Sequence, residues 1–275
     1  MHVVKKSRKE VCIAIALATI VVVSIAISSG EIFAMRRAVS SVPLSISSAS
    51  VIVPIIAYHH VRPYQKGESI YEEAYDITPE LLARELDYLR ANSYKTITFD
   101  ALADALEKGT PLPPKPIILS FDDGNKDQFE YALPILQEHG AAATFFIYTV
   151  VIGKPKYLSW DDIHALEKSG MEIGAHAKTH PYIVKIVDPK VMRDEIEGGK
   201  KILEDHLGHP VRTFAYPFGH SSPLGIEIVK EAGFRTARTL YTGNIQEKDN
   251  PLELRAYLAT DNWDDFLSAI SIAAI

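Results

Sequence analysis

Pro116-Ile117-Ile118-Leu119-Ser120-Phe121-Asp122-Asp123-Gly124 sets an apolar run, broken only by a serine, ahead of two adjacent carboxylates and a glycine. A short apolar run closed by turn residues reads as a buried strand, and acids placed where it leaves the sheet read as chemistry at a strand end. On its own Asp-Asp-Gly also reads as an Asx-turn closed by glycine. Working outward, similar runs at 51–57, 96–98, 142–147, 171–175, 212–216, 235–239 and 254–258 read as strands, with helical patterns between most of them. Thr78 and Pro79 are an N-cap and first helical residue, followed by Leu81, Leu82, Glu85, Leu86 and Leu89 at helical spacing. Pro189 opens a second helix that Gly208 closes. Alternating strands and helices imply parallel strands with right-handed crossovers. With no Rossmann glycine fingerprint, the reading is α/β: a distorted (β/α) barrel of seven or eight parallel strands, favoured over an open sheet.

Composition narrows the chemistry. The 275 residues carry a formal charge of −6, 47% hydrophobic residues and 23% charged ones, which excludes disorder, collagen and coiled coil. The single cysteine, Cys12, lies in an apolar N-terminal run, so neither an intrachain disulfide nor a Cys-based zinc site can form. Any metal must sit on His and carboxylates. The first ten residues carry a net +3, leaving −9 for the rest, and an acidic body argues against nucleic acid as a partner. Residues 11–29 contain no charge and are long enough to span a bilayer with the N-terminus inside. Residues 1–29 therefore read as a basic segment and transmembrane anchor, with a cleavable signal peptide as the alternative. Serine-rich residues 30–50 read as a linker, and 51–275 as one domain, closed by a short helix from Phe266. The domain is then expected outside the membrane, anchored by one pass, or secreted if the segment is cleaved.

In a β/α barrel the polar residues just after each strand line the active site. Besides Asp122 and Asp123, three such places stand out. His176 and His180, spaced i, i+4, could converge on one ion if their segment makes a helical turn; with Asp123 they would form a His₂–carboxylate set that leaves positions open, as catalytic zinc sites do. Tyr58-His59-His60 could place a general acid at the end of the first strand. Residues 214–219, which include Tyr216, Pro217 and Phe218, read either as a tight turn or as a wall of the site whose backbone N–H groups face an oxyanion.

Taken in order, Ser120-Phe121-Asp122-Asp123-Gly124, His176-Ala177-Lys178-Thr179-His180 and the Tyr216-Pro217-Phe218-Gly219 turn resemble the three leading motifs of the polysaccharide deacetylase family, carbohydrate esterase family 4 or the NodB-homology domain. The resemblance covers roughly residues 53–267. It implies a metal-dependent hydrolase of carbon–nitrogen bonds in linear amides, with Asp122 as general base and Asp123, His176 and His180 holding one divalent ion, Zn²⁺ first and Co²⁺, Ni²⁺ or Fe²⁺ as alternatives. The late Leu-x-His motif is absent, since no histidine follows His220. Tyr58-His59 instead resembles the early Tyr-His of the permuted poly-β-1,6-N-acetylglucosamine deacetylases of biofilm formation, which makes His59 the expected general acid. The stretch 254–258 resembles that branch's arginine-bearing last strand and assigns Arg255 to orient Asp122. Ala215 stands where many relatives carry arginine, and Ala177 where they carry Ser or Thr, a loss expected to weaken the bracing of the metal loop and the metal affinity.

The implied activity is removal of N-acetyl groups from N-acetylglucosamine residues of a cell-surface or biofilm polysaccharide, with polysaccharide synthase or export machinery as candidate partners. Peptidoglycan, chitin-like oligomers and O-acetyl esters remain alternative substrates. A non-catalytic glycan-binding protein on the same scaffold is the alternative from another class.

Overall fold

The computed structural model describes residues 50–64 and 75–271. The expected basic segment, membrane span and nearly all of the serine-rich linker fall on residues 1–49 and lie outside the described residues. Among the described residues no helix is long and apolar enough to cross a membrane.

Eight strands form one parallel sheet. In chain order the strands among the described residues are β1 (Ser50–Ile52), β2 (Ile55–Tyr58), β3 (His60–Val61), β4 (Asp76–Ile77), β5 (Lys95–Thr96) and β6 (Pro116–Phe121). They continue with β7 (Thr144–Ile147), β8 (Glu172–Ala175), β9 (Thr213–Ala215), β10 (Thr236–Arg238), β11 (Ile245–Glu247) and β12 (Tyr257–Leu258). The main sheet runs β10-β9-β8-β7-β6-β2-β12, with β5 beside the first residues of β6. Leu254, just before β12, makes a parallel bridge to Arg238, so the segment carrying β12 touches both edges of the curled sheet. This is the parallel, barrel-like architecture expected from the alternation of strands and helices.

The expected first strand, 51–57, is two strands. Pro54 lacks an N–H and cannot extend a ladder; before it β1 pairs antiparallel with β11, and after it β2 joins the main sheet.

Among the described residues seven α-helices pack around the strands: α1 (Pro79–Ala91), α2 (Phe99–Lys108), α3 (Leu133–His139), α4 (Trp160–Lys168), α5 (Pro189–Leu207), α6 (Pro223–Glu231) and α7 (Trp263–Ile270). Local signals explain their ends. The Thr78 hydroxyl accepts the Leu81 N–H at the start of α1, and Gly208 takes the left-handed conformation that stops α5. Leu82, Leu86 and Leu89 of α1 bury their side chains with Leu119 and Phe121 of β6, while Met192, Ile196 and Leu203 of α5 pack with Phe214 and Ile228. Glu85 is the exception on the buried face of α1; its carboxyl accepts the Tyr58 hydroxyl at 2.8 Å.

Candidate active site

Strand alternation decides which side chains meet. On β6, Ile117, Leu119 and Phe121 face the helices, whereas Ile118 packs with Ile55, Phe146 and Ala215 of the neighbouring strands. Successive residues point to opposite faces, so Ser120 and then Asp122 continue the face of Ile118. The same count places His59 beyond Ile55 and Ala57, His176 beyond Gly174, and Arg238 beyond Thr236. These four side chains share the layer at the C-terminal ends of the strands, where barrels of this kind carry their chemistry.

Asp123, His176 and His180 come together. Their ligand atoms all lie within 4.8 Å of one another, and Asp123 Oδ1 is 3.5 Å from His176 Nε2 and 3.4 Å from His180 Nε2. The His176 Nδ1–H donates to the Ala215 carbonyl at 2.7 Å, which leaves Nε2 as a lone pair facing the carboxylate. Asp123 Oδ1 is buried without a hydrogen-bond partner among the described residues. Burial, with the neighbouring charge of Asp122, pushes the Asp123 carboxyl up to about 7, and burial brings His176 down to about 3. A carboxylate lacking hydrogen-bond donors between two neutral imidazoles is a donor set that fits a divalent cation. The two histidines converge without the helical turn that their i, i+4 spacing suggested as a route: residues 176–180 are not helical, and Ala177 and His180 have φ of 63° and 60°.

Asp122 has a different partner from the one expected. Arg238 Nη2 donates to Asp122 Oδ1 at 2.6 Å and also contacts Oδ2, and both side chains are buried. Burial works to raise the Asp122 pKa, but the guanidinium, with lesser help from His176 and His59, outweighs it and holds the carboxyl below the usual range. Arg255, the arginine expected in this place, is exposed and donates to the Thr242 carbonyl at 3.2 Å. Arg238 had a legible signal. It shares a face with Thr236 in a strand of the buried sheet, and an arginine there needs an acid.

His59 stands on the other side of Asp122, Nε2 to Oδ2 at 3.9 Å. Burial lowers its pKa to about 4 despite the carboxylate, so the ring is neutral at pH 7. Gln128, which the sequence reading passed over, donates through Nε2 to the His59 carbonyl at 2.7 Å and to the Asp122 carbonyl, tying the two strand ends together. His60 turns away and pairs with Asp127, Nδ1 to Oδ2 at 2.6 Å.

The 214–219 turn divides its residues. Tyr216 and Pro217 are buried behind the surface, whereas Phe218 is 50% exposed and its ring centroid lies 4.6 Å from that of His180. Phe218 holds φ 60°, and Gly219 follows at φ 74°, where a Cβ would run into Leu240. Phe218 and His180 line a cleft of about 1220 Å³ together with His59, Asp123, Tyr64, Tyr75, Tyr131 and Tyr182. All five of these Phe and Tyr side chains are exposed.

The polysaccharide deacetylase family model matches residues 109–237, a stretch that holds both aspartates, His176, His180 and the Phe218 turn. The chain is 23% identical over 238 residues to poly-beta-1,6-N-acetyl-D-glucosamine N-deacetylase of Staphylococcus aureus strain MRSA252, across 76% of this chain and 82% of that protein. It is 22% identical over 191 residues to YxkH of Bacillus subtilis strain 168, across 70% of this chain and 65% of that protein, so it spans just under two thirds of that relative. The solved structure of IcaB from Ammonifex degensii superposes with a TM-score of 0.71 at 26% identity, covering 80% of this chain and 97% of that one. The matched stretch, residues 109–237, is a polysaccharide deacetylase domain, and the chain shares the fold of solved deacetylases.

Proposed function

We propose that the protein removes N-acetyl groups from N-acetylglucosamine residues of a cell-surface polysaccharide, with poly-β-1,6-N-acetylglucosamine as the substrate and one divalent ion, Zn²⁺ first, as cofactor. The observation that carries this reading is the buried Asp122–Arg238 pair set directly beside the Asp123, His176 and His180 group. A divalent ion in that group supplies Lewis acidity toward a carbonyl oxygen and makes water a stronger acid. Asp122, kept ionised by Arg238, takes the proton of the water that attacks the acetamide carbon. His59, neutral at rest and 3.9 Å from Asp122, receives that proton from Asp122 and gives it to the departing nitrogen; because burial depresses its pKa, the imidazolium is a strong acid toward an amine. The Phe218 turn offers a backbone N–H toward the oxyanion. Acetate and a glucosamine residue leave.

The polymeric substrate is supported by the five exposed aromatic rings along the cleft, since flat amphipathic rings suit the apolar faces of sugars. The β-1,6 linkage is supported by the early Tyr58-His59 and by likeness to the Staphylococcus aureus enzyme. The anchored, extracytoplasmic location belongs to the same proposal and rests on the uncharged residues 11–29. Acetate release from β-1,6 and β-1,4 N-acetylglucosamine oligomers of equal length tests the substrate. Preference for the β-1,6 oligomer is expected, and release from the β-1,4 oligomer alone would overturn the linkage.

A further inference from the structure

The loop from His176 to His180 bends through two left-handed residues, neither of them glycine: Ala177 at φ 63° and His180 at φ 60°. Side chains with a Cβ hold that conformation only where their surroundings enforce it. Ala177 has no hydroxyl with which to brace the bend from inside.

The enforcement comes from α5. Glu195 is 8% exposed, and three donors of the loop converge on its carboxylate. The Lys178 N–H reaches Oε2 at 3.2 Å, the Thr179 N–H reaches Oε2 at 2.8 Å, and the Thr179 hydroxyl reaches Oε1 at 2.7 Å. One turn further along the helix, Gly199 lets α5 press on the loop, since a Cβ there would stand 2.8 Å from the Ala177 carbonyl carbon. At the exposed side of the same contact, Lys178 Nζ pairs with Asp194 at 3.0 Å.

We propose that Glu195 is a positioning residue for the metal group: its carboxylate holds the 176–180 backbone in the shape that brings both imidazoles onto Asp123. It takes the place of the Ser or Thr brace that Ala177 lacks. The inference rests on the reading of Asp123, His176 and His180 as a metal site. Glu195 touches neither imidazole, so its effect passes through the loop backbone. A glutamine in its place keeps the shape but offers one acceptor oxygen where the carboxylate offers two, and its amide turns N–H groups toward donors.

The test is Zn²⁺ affinity of the full chain, measured by competition with a chromophoric chelator, together with thermal melting of the metal-free protein. Glu195→Gln is expected to weaken Zn²⁺ binding about tenfold, the low end for residues that orient ligands indirectly, with melting of the metal-free protein close to wild type. Asp194→Asn removes a nearby exposed charge and is expected to leave affinity within about twofold. Equal losses in the two variants would assign the effect to charge and overturn the proposal. Tight wild-type binding that Glu195→Gln leaves unchanged would overturn it alone, whereas wild-type protein that takes up no stoichiometric Zn²⁺ would overturn the metal reading and the proposal together. If Glu195→Gln does not fold, Thr179→Val removes one of the three donors; a smaller loss of affinity, about threefold, supports the proposal, and no loss overturns it.

Discussion

Arg238 and Ala215 are register partners on the adjacent parallel strands β10 and β9. Ala215 stands where many members of the family carry an arginine, and Arg238 supplies a guanidinium from directly across the ladder to Asp122. The guanidinium comes from the strand beside Ala215, at the same height in the barrel. Arg238→Met should therefore lower kcat by about 10²-fold or more, the scale of general-base catalysis. It should also destabilise the fold by about 3–5 kcal/mol, because a buried carboxylate is left unpaired. Adding Ala215→Arg to that variant should return part of the activity. Steady-state kinetics with thermal melting checks all three statements, and an Arg238→Met enzyme with wild-type kcat would refute them.

Arg255 offers the contrast. Its guanidinium reaches a backbone carbonyl and not Asp122, so Arg255→Ala should leave kcat within about twofold and cost little stability, as exposed contacts do.

What could be read beforehand follows from what is local. The 116–121 strand, the Thr78-Pro79 helix start and the Gly208 stop are written in neighbouring residues, and the strand-end positions of Asp122, Asp123 and His176 follow from them. Arg238 and Arg255 could not be ranked in the same way, because which strands lie side by side is fixed only by the closed sheet. The alternation of Thr236 and Arg238 was the available clue. The bend at 176–180 could not be read, because nothing in Ala177 or His180 announces a left-handed backbone; contacts from α5, distant in sequence, impose it. Pro54 did carry a signal, and it divides the expected first strand.

Metal affinity should depend on pH through one carboxyl. Without an ion Asp123 titrates near 7, while His176 stays neutral down to about 3. Below pH 7 the ion must displace a proton from Asp123, so Zn²⁺ affinity should fall about tenfold per pH unit toward pH 5 and level off above 7. Competition titrations across this range check the slope. A profile flat from 5 to 8 would rule out Asp123 as the titrating ligand.

Glu85 governs a separate pH effect, on stability. Burial raises its pKa from 4.5 to about 8, even though the Tyr58 hydrogen bond opposes the shift. The unfolded chain gives up this proton near 4.5 while the folded protein keeps it until about 8, so stability is greatest below 4.5 and is lost as pH rises through that window. At pH 7 the loss is on the order of 3 kcal/mol. Glu85→Gln should flatten this part of the profile and make the protein more stable than wild type at pH 7, with little difference at pH 4. Denaturant unfolding at both pH values measures it, and a Glu85→Gln variant less stable than wild type at pH 7 would contradict the assignment.

The proposed activity requires that Asp122, held ionised by Arg238, drive hydrolysis of an acetamide beside an ion held by Asp123, His176 and His180. Acetate release from an N-acetylglucosamine oligomer by the Zn²⁺-loaded protein, compared with Asp122→Asn at equal zinc content, tests it most directly. Release by wild type and a fall of about 10²-fold or more in the variant are expected. Wild-type rates in Asp122→Asn, or no acetate from the zinc-loaded wild-type protein, would contradict it.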